Sequence, residues 1–287
     1  MKRKWKWISL LLLGAVLLAG CGSGGTAGDT DETEPETGHA LPVSSLASYS
    51  IVYAESGLDE ALYHALQTLR RTLQERFGVS LTVRNDFVRA GDTAYAVGEY
   101  EILVGETNRE ESRAACAALH RDRDYSIGLR GKKVVLAGLS HESVLAAVEA
   151  FTALLPPAGS TVFFSADAER FVPGTYAVSE VTLNGTALGD YSLVYADSTA
   201  CRTLAERLAE TVRERTGYLL PVLAAGNGTP DGPCIRIGTA GALPDGLPEY
   251  PCYYAGAAGE DVVLCGTDTP QLCRAVNRLS GALETAS

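Results

Sequence analysis

The chain repeats itself, and the repeat constrains its fold more than any other feature. Tyr49-Ser50-Ile51-Val52-Tyr53-Ala54-Glu55 recurs as Tyr191-Ser192-Leu193-Val194-Tyr195-Ala196-Asp197, identical at five of seven positions. Each copy runs into an amphipathic helical pattern that ends alike, in Glu75-Arg76-Phe77-Gly78 and in Glu214-Arg215-Thr216-Gly217. Both glycines stand where a helix wants a left-handed residue just past its end. Leu58, Leu62, Leu66, Leu69, Leu73 and Phe77 define the apolar face of the first helix, and Leu204, Leu208 and Val212 that of the second. The order then continues in parallel. Val79–Val83 matches Tyr218–Val222, Glu101–Gly105 matches Cys234–Gly238, and hairpins follow at Tyr125–Ala137 and Tyr253–Cys265. Each copy closes with a helix, at about 141–155 and 270–283, the second opening on Thr269 as N-cap and Pro270 as first helical residue. Helices alternating with strands predict an α+β fold: two tandem units, each a mixed β-sheet covered by helices.

The first unit is expected over residues 46–157 and the second over 190–287, joined by a β-rich connector at 158–189. In that connector Val178–Thr186 alternates apolar and polar residues and turns at Asn184-Gly185. The leading residues belong to neither unit. Residues 1–20 have a basic start (Lys2, Arg3, Lys4, Lys6), an apolar stretch from Ile8 to Leu18, and a close in Leu18-Ala19-Gly20-Cys21. The apolar stretch is shorter than the roughly 20 residues that span a bilayer, as in a secretory signal. The closing tetrapeptide resembles the lipobox of bacterial lipoprotein precursors. That resemblance implies acylation of Cys21, cleavage before it, and export with attachment to the outer side of the cell membrane. Two or three acyl chains anchor durably where one is marginal. Residues 21–45, rich in Gly, Ser, Thr, Asp, Glu and Pro, read as a flexible acidic tether.

The charge balance excludes some partners. The chain holds 24 Lys+Arg against 35 Asp+Glu. Loss of the four basic residues with the signal leaves 20 against 35, a balance of −15. Such a surface argues against nucleic acid, and leaves the membrane (reached through lipid), a glycan or a surface protein as candidate partners. Seven cysteines without a C-x-x-C pair, and only four histidines, offer no zinc ligand set, so no metal and no cofactor are expected. One cystine is a candidate. If Ala258-Gly259 forms a two-residue turn, Cys252 lies opposite Cys265, within reach of a disulfide. Two free thiols packed as small hydrophobes are the favoured alternative.

The pattern Tyr-x-Ile-Val, amphipathic helix to Gly, strand, Ile102-Leu103-Val104-Gly105-Glu106-Thr107, hairpin through Gly131-Lys132-Lys133-Val134-Val135-Leu136-Ala137-Gly138 and Ala-rich helix resembles a known accessory domain. It is the small domain that precedes the catalytic barrel in family 20 β-hexosaminidases and related α-glucuronidases. The resemblance covers about 48–156, and 190–284 less clearly. It implies a mixed sheet against helices, zincin-like in topology but without metal. The catalytic barrel of those enzymes needs roughly 250 residues that follow the domain. No such stretch follows here, and the accessory domain brings no catalytic residue with it.

His141-Glu142 lacks the second histidine of His-Glu-x-x-His, Leu standing at 145, so it reads as a helix start. Cys116 and His120, four apart on an expected helix, form an unmotivated nucleophile pair. The acidic pairs Glu99/Glu101 and Glu110/Glu111 read as solvated surface, with Asn108 and Glu111 in a capping arrangement. Tyr250, Tyr253 and Tyr254 are the candidate glycan contacts, because aromatic faces stack on sugar rings and no tryptophan follows Trp7. Together these observations favour a non-catalytic, membrane-anchored surface module for interaction or assembly, associated with glycan processing. The alternatives are a carbohydrate-binding lipoprotein and a diverged glycoside hydrolase with its site between the units.

Overall fold

The computed structural model describes residues 40–89, 91, 96–228, 230–239 and 250–286. Cys21, the signal and most of the tether lie outside the described residues. In chain order the first half contains β1 (Ala40–Pro42), β2 (Ser50–Tyr53), α1 (Glu60–Phe77), β3 (Thr82–Asn85), β4 (Glu101–Val104), α2 (Glu110–Ala117), β5 (Tyr125–Arg130), β6 (Lys133–Gly138) and α3 (His141–Leu154). The connector adds β7 (Val162–Ser165), β8 (Arg170–Val172), β9 (Thr182–Leu183) and β10 (Thr186–Ala187). The second half contains β11 (Ser192–Tyr195), α4 (Thr199–Thr216), β12 (Val222–Ala224), β13 (Cys234–Thr239), β14 (Tyr253–Ala258), β15 (Asp261–Gly266) and α5 (Thr269–Thr285). None of the described helices is long and apolar enough to cross a membrane.

Two mixed sheets carry the α+β fold. The first has strand order β3-β2-β4-β6-β5-β8 and the second β12-β11-β13-β15-β14, so five strands of one have counterparts in the same order in the other. In each, four strands run parallel and the hairpin partner, β5 or β14, runs antiparallel. The tyrosine that opens each repeat explains part of the sequence identity. Tyr49 donates its hydroxyl to Lys132 O at 2.7 Å, and Tyr191 reaches Leu183 O at 2.7 Å and Glu260 O at 3.5 Å. Lys132 and Glu260 are the second residues of the two hairpin turns. Both tyrosines are buried and anchor the start of a central strand to a hairpin tip.

Local chemistry accounts for the element ends. Gly78 and Gly217 follow α1 and α4 with φ of 73° and 78°, which costs glycine little. Asp59 and Ser198 cap the helix starts by accepting from Leu62 N and Cys201 N. α5 is capped by Asp268, which accepts from Gln271 N at 2.8 Å, so it begins one residue earlier than Thr269-Pro270 suggested. Helices α1 and α3 cover one face of the first sheet around Leu66, Leu69, Ile102 and Phe151. α2 covers the opposite face over Leu103, Val135 and Ala137, so β4 is buried along its whole length. Helices α4 and α5 cover the second sheet around Leu208, Ile235 and Val276.

The structure departs from the sequence-based expectation at three places. Residues 40–45, assigned to the tether, belong to the fold: β1 pairs antiparallel with β7, Leu41 is buried, and Val43 N donates to Thr161 O at 2.8 Å. The turn of the second hairpin is Gly259-Glu260, with Ala258 opposite Asp261. Gly259 takes φ 66°, the left-handed value that a two-residue hairpin loop needs at that position, and this moves the register by one. Cys265 therefore faces Tyr254 rather than Cys252, and both cysteines are free thiols. Finally, Glu101 is not a solvated surface acid but wholly buried.

Candidate functional site

The two repeats are held together by a clasp made from three short segments. The loop after α2 supplies Arg121, Asp122 and Asp124, the connector supplies Gly174 to Ser179, and the end of α4 supplies Arg213 to Tyr218. Arg121 forms an isolated antiparallel bridge with Tyr218, and Asp122 N donates to Gly217 O at 2.8 Å. The Arg121 guanidinium lies between two aromatic rings, 5.1 Å from the Tyr176 centroid and 4.5 Å from that of Tyr218. It also donates to Tyr218 Oη at 2.8 Å and to the Ser179 carbonyl. Arg213 pairs with the buried Asp122 at 3.1 Å, and Val178 N donates to Arg215 O at 3.0 Å. Tyr176 donates to Asp124 at 3.1 Å and accepts from Arg123 N at 2.9 Å. Its burial, with the Asp124 and Asp122 charges nearby, pushes the phenol above its ordinary pKa, so it remains a donor.

Glycine is required at two places in this clasp. A Cβ on Gly217 would stand 2.0 Å from the Tyr176 ring, and one on Gly189 would stand 2.6 Å from the Tyr218 ring. Both aromatic rings thus pack directly against a glycine, where a side chain would collide with them. Beside the clasp opens a cleft of about 890 Å³, within the roughly 300–1,000 Å³ of small-molecule sites. Its walls come from α2 and the following loop, from β8 and the connector, and from the segment after α4.

The cleft has an apolar platform and a polar rim. Phe171 is 57% exposed and Leu219 47% exposed, and both line it, so the connector and the second repeat each contribute a large apolar side chain that folding leaves uncovered. Carboxylates converge here from both halves: Glu106, Glu180 and Asp190 are exposed at the rim, while Asp124 is buried and committed to Gly174 N and Tyr176. Arg113 and His120 add exposed polar groups. Cys116 and Ser179 are the nucleophile types in the lining, and the Cys116 thiol donates to Gly138 O at 3.8 Å. Burial pushes that thiol up to about 11, with the Glu106 charge adding to the rise, so it is protonated and inert near neutrality.

The residues singled out from sequence fall in different places. Cys116 and His120 line one cleft but do not share a helix face, because α2 ends at Ala117. His141 pairs with Asp59 at 2.9 Å and joins the starts of α3 and α1. Asn108 is no cap: its side chain donates to Asp86 O at 2.6 Å, and Glu111 pairs with Lys133 at 2.9 Å. Tyr250 and Tyr253 are exposed, but Tyr254 folds its hydroxyl back to Ala257 O at 2.7 Å. Tyr253 and Tyr254 are adjacent on a strand and point to opposite faces, so the three tyrosines form no single stacking plane. They lie away from the cleft. No group of three or more His, Cys, Asp or Glu positioned to hold a metal exists among the described residues.

Sequence reasoning missed both the cleft and a buried charge cluster at the start of β4. Glu101 accepts from Arg109 Nε and Nη2, from Arg84 Nη2 and from Gly98 N, all at 3.0 Å, with Lys133 Nζ at 3.7 Å. Burial alone would raise its pKa. The hydrogen bonds from Arg109 and Gly98 and the charges of Arg109 and Lys133 outweigh that, and hold the carboxyl below its ordinary value. The cluster braces the start of β4.

No protein-family model and no curated protein matches the chain. Solved structures do. A family GH115 4-O-methyl-α-glucuronidase with specificity for decorated arabinogalactans aligns over 53% of this chain and 19% of its own, at 13% identity and TM-score 0.32. A GH138 enzyme targeting pectin rhamnogalacturonan II aligns over 52% of this chain and 17% of its own, at 13% identity and TM-score 0.27. CpGH84D aligns over 85% of this chain and 40% of its own, at 10% identity and TM-score 0.31. The chain thus spans less than half the length of each, and the likeness to these glycoside hydrolase-family proteins is weak.

Proposed function

We propose that the chain is a non-catalytic binding module, held outside the cytoplasm by lipid on Cys21, that takes a saccharide into the cleft between its repeats. The observation that carries this reading is the cleft's composition. Phe171 and Leu219 supply apolar area for a ring face, while Glu106, Glu180, Asp190 and Arg113 are placed to hydrogen-bond hydroxyl groups around it. The clasp supports the same reading, since it fixes the walls before a ligand arrives and so lowers the entropy cost of binding.

A glycan array probed with the full chain in mild detergent tests the proposal, followed by calorimetry on any glycan that is retained. Binding weakened by Phe171→Ala and by Leu219→Ser is the expected result. Uniform silence on the array, or binding indifferent to both changes, refutes it. The hydrolase reading keeps one supporting observation, the convergence of carboxylates from both repeats. Turnover of a retained glycan that is abolished by Glu180→Gln or Glu106→Gln would favour it over simple binding. Membrane attachment is tested separately by mass spectrometry of the cell-expressed protein, where an unmodified Cys21 would remove the anchor.

A further inference from the structure

The duplication supplies an internal control for the edge of the second sheet. In the first repeat the outer edge of β5 is covered by β8, which pairs antiparallel through Tyr125 with Val172, Ser126 with Phe171 and Ile127 with Arg170. The next outward N–H, that of Leu129, donates to Glu169 Oε1 at 2.8 Å. In the second repeat the equivalent strand is β14, and among the described residues it ends the sheet with no strand outside it.

The hydrogen-bonding sense of β14 follows from its turn. Residues flanking a two-residue hairpin loop exchange both backbone bonds, and the sense alternates from there. Ala258, Gly256 and Tyr254 therefore face β15, while Tyr253, Ala255 and Ala257 turn their N–H and C=O groups outward. Among the described residues the internal hydrogen bond on this edge is that of the Tyr254 hydroxyl to Ala257 O, and a carbonyl can accept a second bond. Exposed edges of this kind are normally blunted by lysine, proline or a bulge. β14 has none of these, and its register with β15 is unbroken.

We propose that this edge pairs with the same edge of a second copy of the chain, β14 against β14 antiparallel about a two-fold axis at Ala255. Charge selects the partner. In a chain with net charge −11, two copies repel across most of their surfaces, but Pro251 to Gly259 carries no charge at all. Shape supports the register. Pairing about Ala255 sets Tyr253 of one copy opposite Ala257 of the other, on the sheet face that carries α5. There an apolar groove of about 300 Å³ lies beside Ala255, Ala257, Leu279 and Ala282. Tyr253, 44% exposed and without a partner ring among the described residues, fits that groove from across the edge. Backbone pairing supplies the affinity, and this alternate side-chain pocket supplies the register.

Sedimentation of the full chain in density-matched mild detergent tests the inference over a concentration series, together with amide exchange at Tyr253, Ala255 and Ala257. A reversible monomer–dimer equilibrium is expected, with these amides exchanging more slowly as concentration rises. Ala255→Pro removes an outward N–H that bonds nothing among the described residues, and Tyr253→Ser removes the side chain that fills the groove. Each should weaken association by about tenfold or more. A chain that stays monomeric with freely exchanging edge amides overturns the proposal. So does a dimer that both variants leave intact. The amide measurement on the unaltered protein decides the matter even if Ala255→Pro fails to fold.

Discussion

Replacing Glu101 by Gln should cost a large part of the fold's stability. The carboxylate is buried, and both oxygens accept from positively charged or backbone donors: Arg109 twice, Arg84 and Gly98 N, all at 3.0 Å. An amide turns one acceptor into a donor facing those donors. It also leaves Arg109, whose side chain is 2% exposed, without its counter-charge. Breaking one partner of a buried pair costs about 3–5 kcal/mol, a large share of the roughly 5–15 kcal/mol that holds a domain together. At about 2–4 °C per kcal/mol for a fold of this size, the melting temperature should fall by roughly 6–20 °C at pH 7. The pH dependence has a definite sign. The folded-state pKa of Glu101 is lowered, so its contribution is full above the unfolded carboxylate value of about 4.3 and is lost as pH falls through the lower folded value. The gap between wild type and Glu101→Gln, followed by circular dichroism melts, should therefore narrow at about pH 3. The second repeat suggests a rescue, because the matching position on β13 is the uncharged, buried Cys234. Glu101→Leu with Arg109→Met should recover much of the loss, as apolar replacements of buried pairs often do. A neutral-pH shift under about 2 °C for Glu101→Gln would refute the reasoning. A double variant no better than the single one would refute it too.

Further changes probe the clasp and the cleft. Gly217→Ala and Gly78→Ala both force alanine into a left-handed conformation, but only the first meets a ring, so it should cost more than the ~1–2 kcal/mol of the second in urea unfolding. Equal costs would mean that the Tyr176 stacking is not rigid. Arg121→Ala removes two cation–π contacts and should cost about 1–2 kcal/mol. It should also split thermal unfolding into two steps, and a single unchanged transition would contradict the clasp. Cys116, its thiol pushed up to about 11, should react with iodoacetamide at pH 8 roughly a hundredfold more slowly than an unperturbed thiol, as read by peptide mass spectrometry.

What the sequence conveyed depended on how local each signal is. Helix periodicity, the αL glycines at 78 and 217, and the Asn184-Gly185 hairpin are set by neighbours in the chain, and their places agree with expectation except for Leu58, which precedes α1 and is exposed. The expected turn at Ala258-Gly259 is one residue early because both Ala258 and Gly259 are small enough to begin it. Only the backbone shows that glycine takes the first loop position. Glu101 read as surface because its burial depends on Arg84, Arg109 and Lys133, gathered from three separate elements. The cleft was illegible for the same reason. Phe171 and Leu219 are 48 positions apart and look like ordinary strand or core residues, until the clasp sets them on one surface. Residues 40–45 escaped notice because three residues of strand leave no periodicity to read.

The most direct test of a ligand cleft between the repeats is amide chemical-shift mapping of the full chain during titration with a glycan retained on the array. Shifts gathered at Ala117–Arg121, Phe171–Pro173, Ser179–Glu180 and Tyr218–Pro221 are the expected result. Shifts confined to the Tyr250–Ala258 edge, or scattered with no focus, would contradict it.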